Sequence, residues 1–306
     1  MKTLVIGACT LDFTLDIDHL PVKGEDVNTK NVEIALGGMA FNVFNILNLF
    51  QCETILGSPI GQGTFADITR RLLKEKGCEP IGTIPGKDNG FCVCLIDNSK
   101  ERSFISNHGN EYRFDTRLFE NIDFNEIGYI YADGLEIEDP DGNNIVKFLE
   151  EKRKPILFAP GPRLQYLPKN LLERIYKLQP ILHINETEAS LICKKDSLYE
   201  TANEINKITN NAVIITLGEH GCLLKENLKD PLIINTLSRK MVDANGAGDN
   251  HAGTILACLD KGFGLIDAVK IANIISGHVV MQKGSAMTYE NFESALKEVK
   301  LISNKL

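Results

Sequence analysis

The sequence predicts an α/β protein: one parallel sheet covered by helices, from which a small β-strand lid departs. Three observations predict it. Short apolar runs such as Leu4-Val5-Ile6-Gly7, Ile127 to Ala132, Ile156 to Ala159 and Val213 to Leu217 recur along the chain, each with the length and composition of a strand buried on both faces. Between them lie segments with apolar residues at i, i+3, i+4 and i+7, the period of a helix with one packed face. Extended stretches at 27–36 and 91–107 interrupt that alternation, and strands leaving a main sheet there are placed to cover its ligand edge.

Taken in order, Leu4 to Gly7 is the first strand. Asp12, Asp16 and Asp18 then alternate with apolar residues up to a turn at Pro21 to Gly24; carboxylates just past the C-terminal end of a parallel strand lie where open α/β sheets hold ligands. Val27 to Leu36 is extended and stops at Gly37-Gly38, after which Val43, Ile46, Leu47 and Phe50 set a helical face with Asn42 in its first turn. Thr54 to Gly57 is a short strand, and Phe65 to Lys76 a helix closed by Gly77. Phe91 to Ile96 and Arg102 to Ser106 flank Asp97 to Glu101 as a hairpin with its turn near Asn98-Ser99. From Ile127 onward, strands at 127–132, 156–159, 181–184 and 213–217 alternate with helical material, including Asn143 to Lys152, as successive βα units. The chain reads as a single α/β domain over 1–306, its lid formed by discontinuous segments near 12–36 and 90–108.

Composition narrows the function classes. With 306 residues, 43% hydrophobic and 24% charged, the chain can bury a large core and is neither disordered nor fibrous. Lys plus Arg number 33 against 41 for Asp plus Glu, a formal charge of -8 that argues against nucleic-acid or membrane binding. The eight cysteines are widely spaced among apolar neighbours, which reads as buried reduced thiols rather than a metal knuckle or a disulfide scaffold. The first apolar run is too short for a signal peptide, and no later stretch reaches about 18 apolar residues. A soluble, cytoplasmic protein is the expectation.

The chemistry concentrates in Asp243-Ala244-Asn245-Gly246-Ala247-Gly248-Asp249. Gly246 and Gly248 permit a sharp turn and close approach, and Ala252, Ile255, Leu256 and Leu259 then show helical spacing. Peptide N–H groups at such a helix start can receive a phosphate or developing negative charge. Asp249 is placed to accept a proton from an alcohol attacking a phosphoryl group, and Asp243 to organise the loop or help hold a cation. The alternative is that both aspartates only cap the helix and stabilise its turn. His251 reads as a packed or hydrogen-bonding residue rather than a second base.

This combination resembles the ribokinase-like, or PfkB, carbohydrate-kinase family. The motif at 243–249 matches the family's C-terminal signature, whose last Asp is the catalytic base, and Gly37-Gly38-Met39-Ala40-Phe41-Asn42 matches its N-terminal Gly-Gly element. Asn185-Glu186-Thr187-Glu188 looks like its Asn-x-x-Glu element and Thr216-Leu217-Gly218-Glu219-His220-Gly221 like its nucleotide-site segment. The match runs in family order from the first strand to the loop around Gly284 and looks closest to an uncharacterised bacterial sugar-kinase branch. The resemblance implies a ribokinase-like fold and an ATP-dependent carbohydrate or nucleoside kinase; the exposed surface of the β lid separately offers a place for a homodimer. It implies Asp249 as base on a catalytic loop with Gly246, Ala247 and Gly248, where N–H groups around Ala247, Gly248 and Asp249 would stabilise the transferring charge. Asp12, Gly38 and Asn42 would contact the acceptor, with Asn107 and Arg163 as further candidates; Arg163 alternatively forms a surface ion pair. Asn185, Thr216, Gly218, Gly221 and Gly284 would serve the nucleotide, Glu188 magnesium through water, and Asp243 a monovalent cation such as potassium. Ala244 and Asn245 replace the family's common threonine-containing turn, which puts that cation site in question. The acceptor would be a free sugar or nucleoside, pseudouridine among them; a nonenzymatic sugar or nucleotide sensor is the competing reading.

Two decoys fall away. Gly82 to Lys87 is one residue short of a P-loop and continues with Asp88. Gly61-Gln62-Gly63-Thr64-Phe65-Ala66 imitates a dinucleotide fingerprint, but it is not the first βα turn and lacks a placed ribose-binding acid.

Overall fold

The computed structural model describes residues 1–99 and 102–302. In chain order its elements are β1 (Lys2–Ile6), β2 (Thr10–Asp16), β3 (Asn31–Gly37), α1 (Met39–Leu49), β4 (Thr54–Leu56), α2 (Thr64–Glu75), β5 (Phe91–Ile96), β6 (Arg102–Asn107), β7 (Ile127–Asp133) and α3 (Leu135–Glu138). They continue with α4 (Gly142–Lys152), β8 (Ile156–Ala159), α5 (Lys169–Lys177), β9 (Ile181–Asn185), α6 (Glu186–Ile192), α7 (Leu198–Thr209) and β10 (Val213–Thr216). The last are β11 (Cys222–Lys225), β12 (Leu232–Ile234), α8 (Ala247–Asp260), α9 (Leu265–Val279) and α10 (Tyr289–Ile302).

The main sheet has the order β12-β11-β10-β9-β8-β7-β1-β4. From β10 to β4 every neighbouring pair is parallel, so the C-terminal ends of those strands share one edge. Side-chain alternation puts residues of each central strand into two separate cores. Val5, Tyr131, Leu157 and Ile214 pack with α1, α8 and α9, while Leu4, Ile130, Phe158 and Ile215 pack with α4, α5 and α7. Helices on both faces explain why these strands read as unbroken apolar runs.

The sheet departs from the expected all-parallel form at one end. β11 and β12 are antiparallel additions beyond β10. They are only four and three residues long, too short for the sequence pattern to separate from turn.

A second, four-stranded sheet of order β3-β2-β5-β6 forms the lid, with β2 and β5 parallel and the outer pairs antiparallel. Its register sets two faces. Asp12, Cys92 and Ser106 line up on the face toward the sheet edge; Phe13, Ile34, Val93 and Ile105 line up on the other. The hairpin between β5 and β6 matches the expectation, but Lys100 and Glu101 of its turn lie outside the described residues. All eight cysteines are free, with Cys92 and Cys193 half-buried and the rest buried. No helix among the described residues is long and apolar enough to cross a membrane.

Candidate active site

The base candidate is positioned by two helices that touch through a glycine. A Cβ at Gly253 in α8 would stand 2.2 Å from Ile46 Cγ2 in α1, so only the absence of a side chain lets these helices come so close. One turn toward their N-termini the same pairing continues: Asn42 Nδ2 donates to Asp249 Oδ2 at 2.8 Å. Asn42 is itself held, its Oδ1 accepting from Ser285 Oγ at 3.1 Å.

Asp249 is half-buried, set deep enough that enclosure raises its carboxyl to about 6; Asn42's donated bond works against the rise and Glu188's charge adds to it. The loop before it is shaped by Gly246, at φ 74°, where a Cβ would meet Ser285 O at 2.2 Å. Asn250 Nδ2 fastens the loop by donating to Gly246 O at 2.7 Å and Ser285 O at 2.8 Å. Ala247 N–H is turned to Ala244 O at 3.3 Å, whereas the N–H groups of Gly246, Gly248 and Asp249 have no acceptor among the described residues. Free N–H groups at a helix start are the kind that can receive an anion.

Two cavities meet at this helix start. One, of about 390 Å³, lies beneath the lid and is walled by Asp12, Gly38, Asn42, Asn185, Glu188 and Asp249, among others. The second, of about 450 Å³, is walled by Gly218, Gly221, Ala247, His251 and the apolar side chains Leu237, Met241 and Val280. Thr216 and Gly248 belong to both walls. A molecule in each would touch the other across Gly248. A larger cleft, about 750 Å³, opens between Arg113, Arg117 and Lys147 and contains none of the sequence-selected residues; its arginines are already paired with Asp141 and Asp115.

On the lid side, Asp12 is raised to about 6 by burial, while Thr10 Oγ1 donates to its Oδ1 at 2.9 Å and opposes the rise. The carboxylate lies across the backbone of β3, since a Cβ on Gly37 would be 1.9 Å from Asp12 Oδ2. Gly38 has φ 93° and would bring a Cβ to 2.5 Å from Ala8 O, so this glycine of the pair is required by both its backbone conformation and its close approach. At the far end of the cavity stand Phe104, His108, Tyr112 and Pro162. His108 stacks on Tyr112 with centroids 3.8 Å apart, and its Nδ1 lies 3.0 Å from Asp139 Oδ2.

Asn185 and Glu188 form a reciprocal cap on α6. Asn185 Oδ1 accepts the Glu188 N–H at 2.9 Å, while Asn185 N–H and Nδ2 donate to the two Glu188 oxygens at 3.0 and 2.9 Å. Burial pushes the Glu188 carboxyl up, and Asn185's donors oppose it. As hard oxygen donors on the cavity wall they fit a water-bridged divalent cation carried mainly by phosphate; no group of three such ligands occurs among the described residues.

Three sequence-selected residues stand elsewhere. Asn107 pairs with Phe91 in the register that puts Ser106 opposite Cys92, so strand alternation turns it away from the cavity that Ser106 and His108 line. Arg163 follows Pro162 but turns outward: its Nε and Nη2 bond Glu138 at 2.6 and 2.5 Å, and it lies over the Tyr166 ring. Gly284 is absent from the second cavity's wall; its N–H donates to Asp243 Oδ2 at 2.9 Å. His251 is a buried packing residue as expected, between His183 Nε2 at 2.9 Å and Asn273 Oδ1 at 3.1 Å. Burial lowers its pKa to about 4 and keeps it neutral.

Sequence reasoning missed Thr10 and Ser285, which hold Asp12 and Asn42, and the buried pair Asp133 and Glu136 beneath the turn after β1. Glu136 Oε1 accepts the Ala8 N–H at 2.6 Å, and burial together with Glu136 pushes Asp133 well up. Asp133 at the end of an apolar strand was the available signal.

The profile for "pfkB family carbohydrate kinase" matches residues 2–291. Among curated relatives, "Uncharacterized sugar kinase YegV" of Escherichia coli (strain K12) is 29% identical, over 97% of this chain and 95% of its own. Among solved structures, Arabidopsis thaliana ribokinase complexed with ribose and ATP superposes with a TM-score of 0.80 at 20% identity, covering 97% of this chain and 98% of that one. Burkholderia thailandensis nucleoside kinase in complex with inosine gives 0.78 at 19%, with 98% and 96% covered. The fold is thus the ribokinase-like one, and the extent of the profile match settles membership: the chain belongs to the pfkB family of carbohydrate kinases.

Proposed function

We propose that this kinase transfers the terminal phosphate of ATP to a hydroxyl of a free sugar or nucleoside, with Asp249 as general base. The observation that carries the reading is the position of Asp249. Its carboxylate is held by Asn42 on the wall of the lid-side cavity, next to free N–H donors at the start of α8, of which Gly248 also borders the second cavity.

In this reading the acceptor lies under the lid with its hydroxyls on Asp12 and Asn42, and the nucleotide lies in the cavity lined by Gly218, Gly221, Leu237 and Val280. The apolar walls there suit a flat base. Asp249 takes the acceptor proton as the oxygen attacks in line, and the Gly248 and Asp249 N–H groups meet the charge on the transferring phosphate. Magnesium, when bound near Asn185 and Glu188, supplies neutralisation of the phosphate charge. The Phe104, His108 and Pro162 end of the cavity gives a nucleobase an aromatic and apolar surface, which keeps nucleosides beside free sugars as acceptors.

The outer lid face exposes Val32, Ile34 and Ile105, a row suited to pairing with a second copy, so a homodimer through the lid is part of the proposal. The test is mass-spectrometric detection of ATP-dependent phosphate addition across free sugars and nucleosides, with Asp249→Asn as control. A product that vanishes in the variant is the expected result; specific binding of the same compounds without any product would replace the kinase reading with a sensor.

A further inference from the structure

The expected monovalent-cation position at Asp243 does not fit such an ion. The Asp243 side chain is 2% exposed and both of its oxygens are engaged. Oδ1 accepts the Asn245 N–H at 2.8 Å and the Nη1 of Arg102; Oδ2 accepts the Gly284 N–H at 2.9 Å. Burial would raise this carboxyl, but Arg102 and the two backbone donors outweigh it and hold it below the ordinary range.

Arg102 comes from a different sheet. It opens β6 of the lid, 19% exposed, and reaches down to the first residue of the loop that ends in Asp249. A second ion pair of opposite polarity joins the same parts: Lys283, next to Gly284, lies 3.5 Å from Asp16 Oδ2 of β2. A buried carboxylate at the base of a phosphate-binding loop repels incoming phosphate unless a positive charge offsets it. Here the charge is covalently attached to the lid.

Resting on the kinase reading and deepening it, we propose that Arg102 is a tethered cation that takes the place of a dissolved potassium ion at Asp243, so that the lid rather than the salt sets the Gly248–Asp249 loop. Arg102 touches neither the acceptor cavity nor the reacting atoms; it is a positioning residue. The guanidinium is never lost by dilution, so activity is indifferent to which alkali cation is present.

The test has two arms. In the first, wild type, Arg102→Ala and Arg102→Lys are melted in potassium, sodium and tetramethylammonium chloride at equal ionic strength, with no acceptor needed. Superimposable wild-type curves are expected, together with a lower melting temperature for R102A that potassium alone raises. In the second, turnover is measured in the same salts. R102A should lose about tenfold in kcat with little change in acceptor KM, potassium or dilute methylguanidinium should restore part of it, and R102K should keep most of it. A potassium-specific rise in wild-type melting temperature or kcat would overturn the proposal. So would an R102A variant with unaltered kcat, or one destabilised equally in all three salts, which marks a plain structural ion pair. Absence of any phosphorylated product sinks the kinase reading instead, and the melting arm still decides the role of Arg102.

Discussion

The two ends of the loop from Asp243 to Asp249 carry the same side chain in opposite electrostatic settings. At Asp243 an arginine and two backbone N–H groups converge and hold the carboxyl low. At Asp249 burial acts against one neutral donor, Asn42, with Glu188 adding repulsion, and the carboxyl rises to about 6. The difference separates a carboxyl held in its charged form from one whose proton affinity is raised. A carboxylate held by a cation and two N–H donors fixes a loop but is a poor proton acceptor, whereas a desolvated one keeps a proton affinity useful near neutral pH.

The comparison can be broken most directly at its reactive end. Asp249→Asn should lower kcat by about 10³-fold, within the range expected for loss of a general base. The same change should raise the melting temperature by about 2–4 °C, because the folded chain holds Asp249's proton more tightly than the unfolded chain. The ionised carboxylate therefore costs stability as pH rises from 3.8 through about 6. Loss of turnover without that thermal gain would mean the carboxylate is better solvated than its setting implies.

Next in size is Gly253→Ala, which touches neither cavity. Its Cβ would meet Ile46 Cγ2 at 2.2 Å and force α1 from α8; about 1–3 kcal/mol of destabilisation is expected from overpacking, with a parallel fall in kcat as Asn42 leaves Asp249. Chemical denaturation and turnover on one preparation check both.

Asn42→Ala sharpens the comparison through pH. In wild type kcat should rise with pH through about 6 as Asp249 ionises. Without the Asn42 donor the charged form loses support, so the midpoint should move to higher pH and kcat at neutral pH should fall, by about tenfold. A pH–rate profile of both proteins reads the shift. The Asp243 end has the opposite sign: its depressed carboxyl contributes stability above the ordinary carboxylate range and loses it as pH falls through its folded pKa. The smallest effect is expected from Arg163→Ala, since that side chain is committed to Glu138 outside the cavity; acceptor KM should stay within about twofold, as for other half-exposed ion pairs.

What was legible in the sequence was local. The loop at 243–249, the Gly37-Gly38 pair and the cap formed by Asn185 and Glu188 act over a few residues, so their spacing carries their geometry. Asp12 and Asn42 come instead from what the family resemblance implies, and both stand on the lid-side cavity wall. What escaped was set by distant partners. Arg102 meets Asp243 across 141 positions and Ser285 meets Asn42 across 243, and no periodicity records such pairings. Asn107 shows a subtler limit: the strand was read correctly, but choosing between alternate residues needs the register with β5, because one step along a strand reverses the face. The short antiparallel strands β11 and β12 have the same cause, since hydrogen bonds to β10 rather than any apolar pattern define them.

The bond from Asn42 to Asp249 spans 207 positions, and this orders events during synthesis. At ordinary translation rates the interval between the two residues is roughly 10–40 s. Throughout it the emerging chain already carries Asp12, Gly38 and Asn42 but neither Asp249 nor the N–H donors of α8. A ribosome-bound chain that has not yet reached α8 thus lacks both side chains that hold Asn42, Asp249 and Ser285, so this corner of the lid-side cavity closes only when the last third of the chain has emerged.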